Sequence, residues 1–221
     1  MMIRGGYYFG KRGTNGNLMT DTWVSNRYLG EDGRNVTDAI VDGRVIGPTG
    51  DLQSPAETDR YVIVGASRIQ DMSRVVNGRN TLFICKAGQK YSWFADDGVK
   101  QLRNLLDQKP DLKVIFALGG NDMENINRYI RLFRKLMTEY PQTMFFYAGN
   151  TSGVDKAKNA RRKQFNKKLE QEFGNLYFDT YEYLDRYIQT HVRSRIGDNH
   201  YQDHTSLALY ERIIDQVKKR S

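Results

Sequence analysis

Tyr61-Val62-Ile63-Val64-Gly65-Ala66-Ser67-Arg68-Ile69 is the stretch on which the fold turns. An aromatic and three β-branched residues make a short run of high strand propensity, and the run stops at a glycine followed by a small residue, a serine and an arginine. What comes after can continue as a helix, so the stretch reads as strand, tight turn and helix start. A serine at such a turn has its hydroxyl at the carboxyl edge of a sheet and its backbone N–H at the positive end of a helix. Nucleophiles and oxyanion donors work from that position. Turns of this kind also occur in α/β folds without any chemistry, so the rest of the chain has to decide.

From Ala56 onward, strand and helix patterns alternate. Thr81 to Cys85, Lys113 to Leu118, Thr143 to Ala148 and Leu176 to Asp179 read as further strands. Between them, Val99, Leu102 and Leu105/Leu106 stripe one helix, and Met123, Ile126, Ile130, Phe133 and Met137 stripe another. A basic helix follows with Phe165 and Leu169 on its inner side. Tyr181, Leu184 and Ile188 mark a short helix; Leu207, Tyr210, Ile214 and Val217 mark the last, with Thr205 as its expected N-cap. Strands separated by helical crossovers form a parallel sheet covered on both faces, with functional groups gathered at the carboxyl ends of its strands.

Residues 1–55 are different in kind. They are rich in glycine, aromatics and Asx and show no helical period. Asn15-Gly16-Asn17-Leu18-Met19-Thr20-Asp21-Thr22-Trp23 lines up with Asp32-Gly33-Arg34-Asn35-Val36-Thr37-Asp38-Ala39-Ile40, each after an aromatic strand. The Asn-Gly and Asp-Gly pairs predict hairpin turns with positive φ at both central residues, hence short hairpins in series that need a neighbour to pack on. Residues 47–55, which include Gly47, Pro48, Gly50 and Pro55, read as a linker. The expected division is therefore 1–55, hairpin repeats and linker, and 56–221, an α/β domain.

Composition narrows the function classes. No long apolar run predicts a membrane span, and Met1-Met2-Ile3-Arg4-Gly5-Gly6 lacks the apolar segment of a secretory signal. The single cysteine, Cys85, lies in an apolar run and reads as a buried structural thiol, which leaves no disulfide framework or zinc cluster. Residues 1–55 hold six Lys+Arg and six Asp+Glu, so the net charge of +8 belongs wholly to the remainder. Much of it lies in Lys156, Lys158, Arg161, Arg162, Lys163, Lys167 and Lys168. Such charge draws nucleic acid, anionic wall polymers or an acidic substrate. With no nucleic-acid module and no interleaved aromatics, the run reads as a solvated helix face, and no nucleic-acid partner is expected.

Three polar residues fall at strand ends or before the last helix: Ser67, Asn121 and His200. A serine hydroxyl needs a base, and His191, His200 and His204 are the available imidazoles. His200, in the loop before the closing helix, is placed to project across the sheet edge; His191 and His204 suit the surface. Asn121 offers a side-chain N–H, and the N–H groups of Ser67 and Gly88 complete a candidate oxyanion hole. Asp122 reads as a structural ligand of nearby N–H groups. Tyr91, Trp93 and Phe94 suit either a pocket lining or the core.

Gly65-Ala66-Ser67-Arg68, Gly88 with Tyr91-Ser92-Trp93, Gly119-Gly120-Asn121-Asp122 and His200-Tyr201 together resemble the four blocks of the SGNH hydrolases, or GDSL esterases, from about Tyr61 to the end of the chain. The resemblance implies a flavodoxin-like three-layer αβα fold with a five-stranded parallel sheet of order 2-1-3-4-5. It also implies Ser67 as nucleophile, His200 as base, Ser67, Gly88 and Asn121 as the oxyanion hole, and no metal or cofactor. Residues 1–55 resemble degenerate cell-wall-binding repeats of the choline- and glucan-binding kind. By that resemblance the chain sits outside the cell or on the surface of a Gram-positive bacterium, with a cell-wall polymer as partner.

Two departures bear on chemistry. Ala66 replaces the aspartate of the usual Gly-Asp-Ser block, and the position three before the histidine, normally acidic, is Gly197. Asp198 is the favoured orienting acid; Asp203, a backbone carbonyl, or a Ser-His pair alone are the alternatives. The expected activity is serine-dependent hydrolysis of an acyl ester, such as an acetyl group on a small molecule or surface polysaccharide. The rival readings are an acyltransferase using the same serine and a non-catalytic surface adhesin on a hydrolase scaffold.

Overall fold

A computed structural model of the chain describes residues 2–4, 7–9, 19–24, 27–37, 39–41, 44–46, 50, 52–53, 60–76, 80–196 and 200–221. Five parallel strands build the central sheet: β1 (Tyr61–Gly65), β2 (Thr81–Cys85), β3 (Lys113–Ala117), β4 (Met144–Ala148) and β5 (Tyr177–Phe178). Their spatial order is β2-β1-β3-β4-β5, the expected one. Between them run α1 (Ser67–Val75), α2 (Val99–Gln108), α3 (Ile126–Glu139), α4 (Lys156–Phe173), α5 (Tyr181–Thr190) and α6 (Asp203–Lys218).

The two-residue side-chain period of a strand sorts the core into two layers. Val62, Val64, Leu82, Ile84, Val114, Phe116, Phe145 and Tyr147 face α2, α3 and α4. Their alternates Ile63, Phe83, Ile115 and Phe146 face α1, α5 and α6. Being covered on both sides, the strands are apolar throughout rather than alternating. Phe116 anchors the first layer, its ring stacked 4.3 Å from Phe133 and 5.7 Å from Tyr147. Such contacts contribute about 0.5–1.5 kcal/mol each beyond the area they bury.

Helix details depart from the sequence expectations in informative ways. The turn before α2 widens into a π turn over Phe94–Gly98, which lets Phe94 and Val99, five residues apart, both reach the core. In α3 the buried stripe is Tyr129, Ile130, Phe133 and Leu136, with Ile126 and Met137 at its margin. The last helix begins after Gln202, not at Thr205, which is wholly buried inside it.

The amino-terminal segment forms antiparallel pairs: Met2–Arg4 with Tyr7–Phe9, Thr22–Val24 with Arg27–Leu29, and Ala39–Val41 with Arg44–Ile46. Leu52–Gln53 adds a third strand to the last pair, so the expected linker is partly sheet. The Ala39–Val41 strand packs on the β2 edge, and Leu29, Ala39 and Ile46 are buried. Asn15-Gly16 lies outside the described residues. At Asp32-Gly33 only Gly33 takes positive φ (72°). Asp32 instead uses its carboxylate to accept the Arg34 N–H at 3.1 Å, which stabilises the turn without a left-handed aspartate.

Candidate active site

The sheet changes winding direction between β1 and β3, and the crevice at such a switch point is where α/β sheets bind ligands. Ser67 is the first residue of α1, directly after the β1 turn. That turn needs its glycine: a Cβ on Gly65 would stand 2.1 Å from Ile69 Cγ1. As the opening residue of a helix, Ser67 also contributes one of the N–H groups that have no partner within the helix.

Across the crevice, Gly119 (φ 88°) bends the chain out of β3 so tightly that a Cβ there would meet the Phe165 ring at 2.2 Å. Asn121 follows, and its Nδ2 donates to Gln89 O at 2.9 Å. Asp122 is 2% exposed and accepts from Tyr91 N (2.7 Å), Asn125 Nδ2 (3.1 Å) and Tyr129 OH (2.9 Å). It is the structural ligand expected of it, and it ties the Gly88 loop to the Asn121 loop. Burial, with the Asp122 carboxylate beside it, holds the Tyr129 phenol well above the ordinary tyrosine range.

His200 lies on a two-residue strand, His200–Tyr201, paired antiparallel with Arg195–Ile196. Tyr201, 3% exposed, anchors this hairpin by donating to Ser152 O at 2.6 Å, with Thr151 Oγ1 2.9 Å from the same hydroxyl. Arg195 donates to Ser152 Oγ at 3.0 Å and Arg68 to Thr151 O at 2.9 Å, and both guanidiniums lie over the Tyr201 ring. Burial lowers the Arg68 guanidinium to about 10, with Arg162 and Arg195 pushing the same way.

Ser67, Gly88, Asn121 and His200 all line one cavity of about 430 Å³ at the carboxyl end of the sheet, within the size range of small-molecule sites. The carboxylate that meets His200 is neither Asp198 nor Asp203. His200 Nδ1 is 2.5 Å from Asp71 Oδ2, on the turn of α1 that follows Ser67. Asp198 lies outside the described residues, and Asp203 is exposed in the first turn of α6. Asp71 could have been found from the expected helix alone, since residues four apart share a helix face.

Phe94 is fully buried and Tyr91 and Trp93 pack against the core; none of the three lines this cavity. His191 is exposed and stacks on Tyr187 at 3.9 Å. In the basic run Lys156, Lys158, Arg161, Lys163 and Lys167 are exposed as expected, but Arg162 turns inward and is 4% exposed. Cys85, expected to be buried, is half-buried at the end of β2; desolvation still pushes its thiol up to about 12, so it is no thiolate at neutral pH. Among the described residues no cluster of three His, Cys, Asp or Glu suits a metal, and no helix is long and apolar enough to cross a membrane.

The layers, strand order and strand-edge cavity make this a three-layer αβα fold around a five-stranded parallel sheet, the architecture expected above. Comparison with known proteins agrees at the level of architecture. No family model and no curated protein matches the chain. The C-terminal catalytic domain of peptidoglycan O-acetyltransferase A from Streptococcus pneumoniae superposes with a TM-score of 0.57 at 11% identity, covering 73% of this chain and 94% of that one. The lipase/acylhydrolase from Enterococcus faecalis superposes with a TM-score of 0.52 at 15% identity, covering 73% and 96%. At these identities the likeness is one of fold.

Proposed function

We propose that the chain is a serine-dependent acyl-ester enzyme, with hydrolysis as its reaction. The observation that carries this reading is the Asp71–His200 hydrogen bond of 2.5 Å on the wall of the cavity that Ser67 also lines. A carboxylate can only accept, so Nδ1 bears the proton and Nε2 is the basic nitrogen. Ser67 Oγ attacks the ester carbonyl as its proton passes to His200 Nε2. The N–H groups of Ser67 and Gly88 and the Asn121 amide stabilise the oxyanion. Collapse expels the alcohol, which takes the proton from His200, and water then releases the acyl group by the reverse sequence.

The adhesin reading drew its support from a missing acid, and Asp71 supplies one. Acyl transfer uses the same acyl-enzyme and differs only in whether water or an alcohol accepts; product analysis with a sugar acceptor present separates the two. The substrate in this proposal is an acyl ester on a small molecule or a surface polysaccharide, met outside a Gram-positive cell, with residues 1–55 holding the wall polymer.

Turnover of 4-nitrophenyl acetate tests the reading. The wild type should hydrolyse it, and Ser67→Ala should lose at least about a thousandfold in kcat/KM. Equal rates for the two would overturn it.

A further inference from the structure

We infer that a second cavity, between the amino-terminal hairpins and the β2 edge, is a binding site for a neutral oligosaccharide. It gives the polymer of the proposed function a place on the chain and rests on that reading only for the polymer's source; the chemistry of Ser67 plays no part in it. The cavity measures about 630 Å³. Tyr28 and Asn35 line it from the hairpin segment, and Gln70 of α1, Cys85 of β2 and Trp93 line it from the α/β domain.

Its chemistry combines stacking surface with unmet acceptors. The two aromatic side chains come from opposite walls, both are half-buried, and a ring face is a surface on which the C–H face of a sugar can lie. The side-chain oxygens of Asn35 and Gln70 are buried with no donor among the described residues. Leaving an acceptor unmet is costly, and the terminal torsions of Asn and Gln are soft, so a small rotation carries each oxygen to a donor in the cavity. What meets them must bring hydroxyl or amide hydrogens. Charge sorts ligands weakly here. Four carboxylates on the rim, Asp21, Glu31, Asp32 and Asp97, stand against the cations Arg34, Arg74 and Lys86, and all of them are exposed to solvent and its ions. Apolar faces, many donors and no net charge describe a neutral glycan. The exit of β2 also joins the two cavities, with Cys85 and Lys86 lining this one and Ala87 and Gly88 the other, so a glycan held here lies next to the serine cavity.

Calorimetric titration of the intact chain with cellohexaose, maltohexaose and chitohexaose tests the site. At least one of the three should bind saturably, with an affinity that holds within about twofold in about 1 M NaCl, where the screening length falls to roughly 3 Å. Tyr28→Ala and Gln70→Ala, one on each wall, should each weaken that binding about tenfold or more while melting like the wild type. Should Tyr28→Ala melt early, Gln70→Ala alone carries the comparison. No binding of any of the three, or undiminished affinity in Gln70→Ala, would overturn the inference. Tighter binding of hexagalacturonate or of deacetylated chitohexaose than of all three neutral glycans would overturn it as well. None of these glycans carries an ester group that Ser67 would attack, so the result stands whether the serine mechanism holds or fails.

Discussion

At position 71 a single carboxylate meets the His200 imidazole, and the proposed mechanism turns on that contact. Helix geometry puts residues 67 and 71 one turn apart on the same face, so the hydroxyl and the carboxylate are held by one rigid element. A loop acid before the histidine would depend on the conformation of that loop; Asp71 depends only on α1. Its 2.5 Å contact to Nδ1 holds one tautomer and one ring orientation, the service an orienting acid performs in serine enzymes. Asp71→Asn should therefore lower kcat on 4-nitrophenyl acetate by about a thousandfold with KM little changed, whereas Asp198→Asn should stay within about threefold of wild type. Because Asp71 acts through His200, Asp71→Glu should recover part of the loss. Comparable losses for Asp71→Asn and Asp198→Asn would transfer the role back to the loop.

The elements show why much of this was readable in advance and some of it was not. The strands were legible because β1 to β4 are apolar runs cut off by glycine or polar turns, and a helix between each pair forces them parallel. The stretches around Ser67 and Asn121 were legible because both sit where strands end. Asp71 escaped notice because attention to spacing along the chain hides neighbours on a helix. Arg162 did so because a run of charges looks uniform until packing turns one residue inward. The π turn was equally hidden, since Phe94 and Val99 share a face only when the helix widens. Gly119 supplies the test at this scale. A side chain there would need an unfavourable positive φ and would strike Phe165, so Gly119→Ala should destabilise the fold by about 2–4 kcal/mol and lower Tm by roughly 6–12 °C. Thermal unfolding within about 1 °C of wild type would show that the β3 exit is not constrained as described.

Taken whole, the molecule brings parts distant in sequence to one sheet edge. The strand order places β1 beside β3, so Ser67 and Asn121 flank one crevice, and the Tyr201 anchor carries His200 back over it from the far end of the chain. Sheet order followed from family resemblance rather than from any residue pattern, because pairing between strands leaves little trace in one sequence. In the first 55 residues the strands Tyr7–Phe9 and Arg27–Leu29 were legible, but not the turns that join the strand pairs or the packing of Ala39–Val41 on the β2 edge. The central claim is that His200, oriented by Asp71, activates Ser67. Its most direct test is labelling of the intact chain with a fluorophosphonate, followed by mapping of the modified peptide. The account predicts one adduct, on Ser67, abolished in Ser67→Ala and strongly slowed in His200→Gln; an adduct on another residue, or undiminished labelling of His200→Gln, would contradict it.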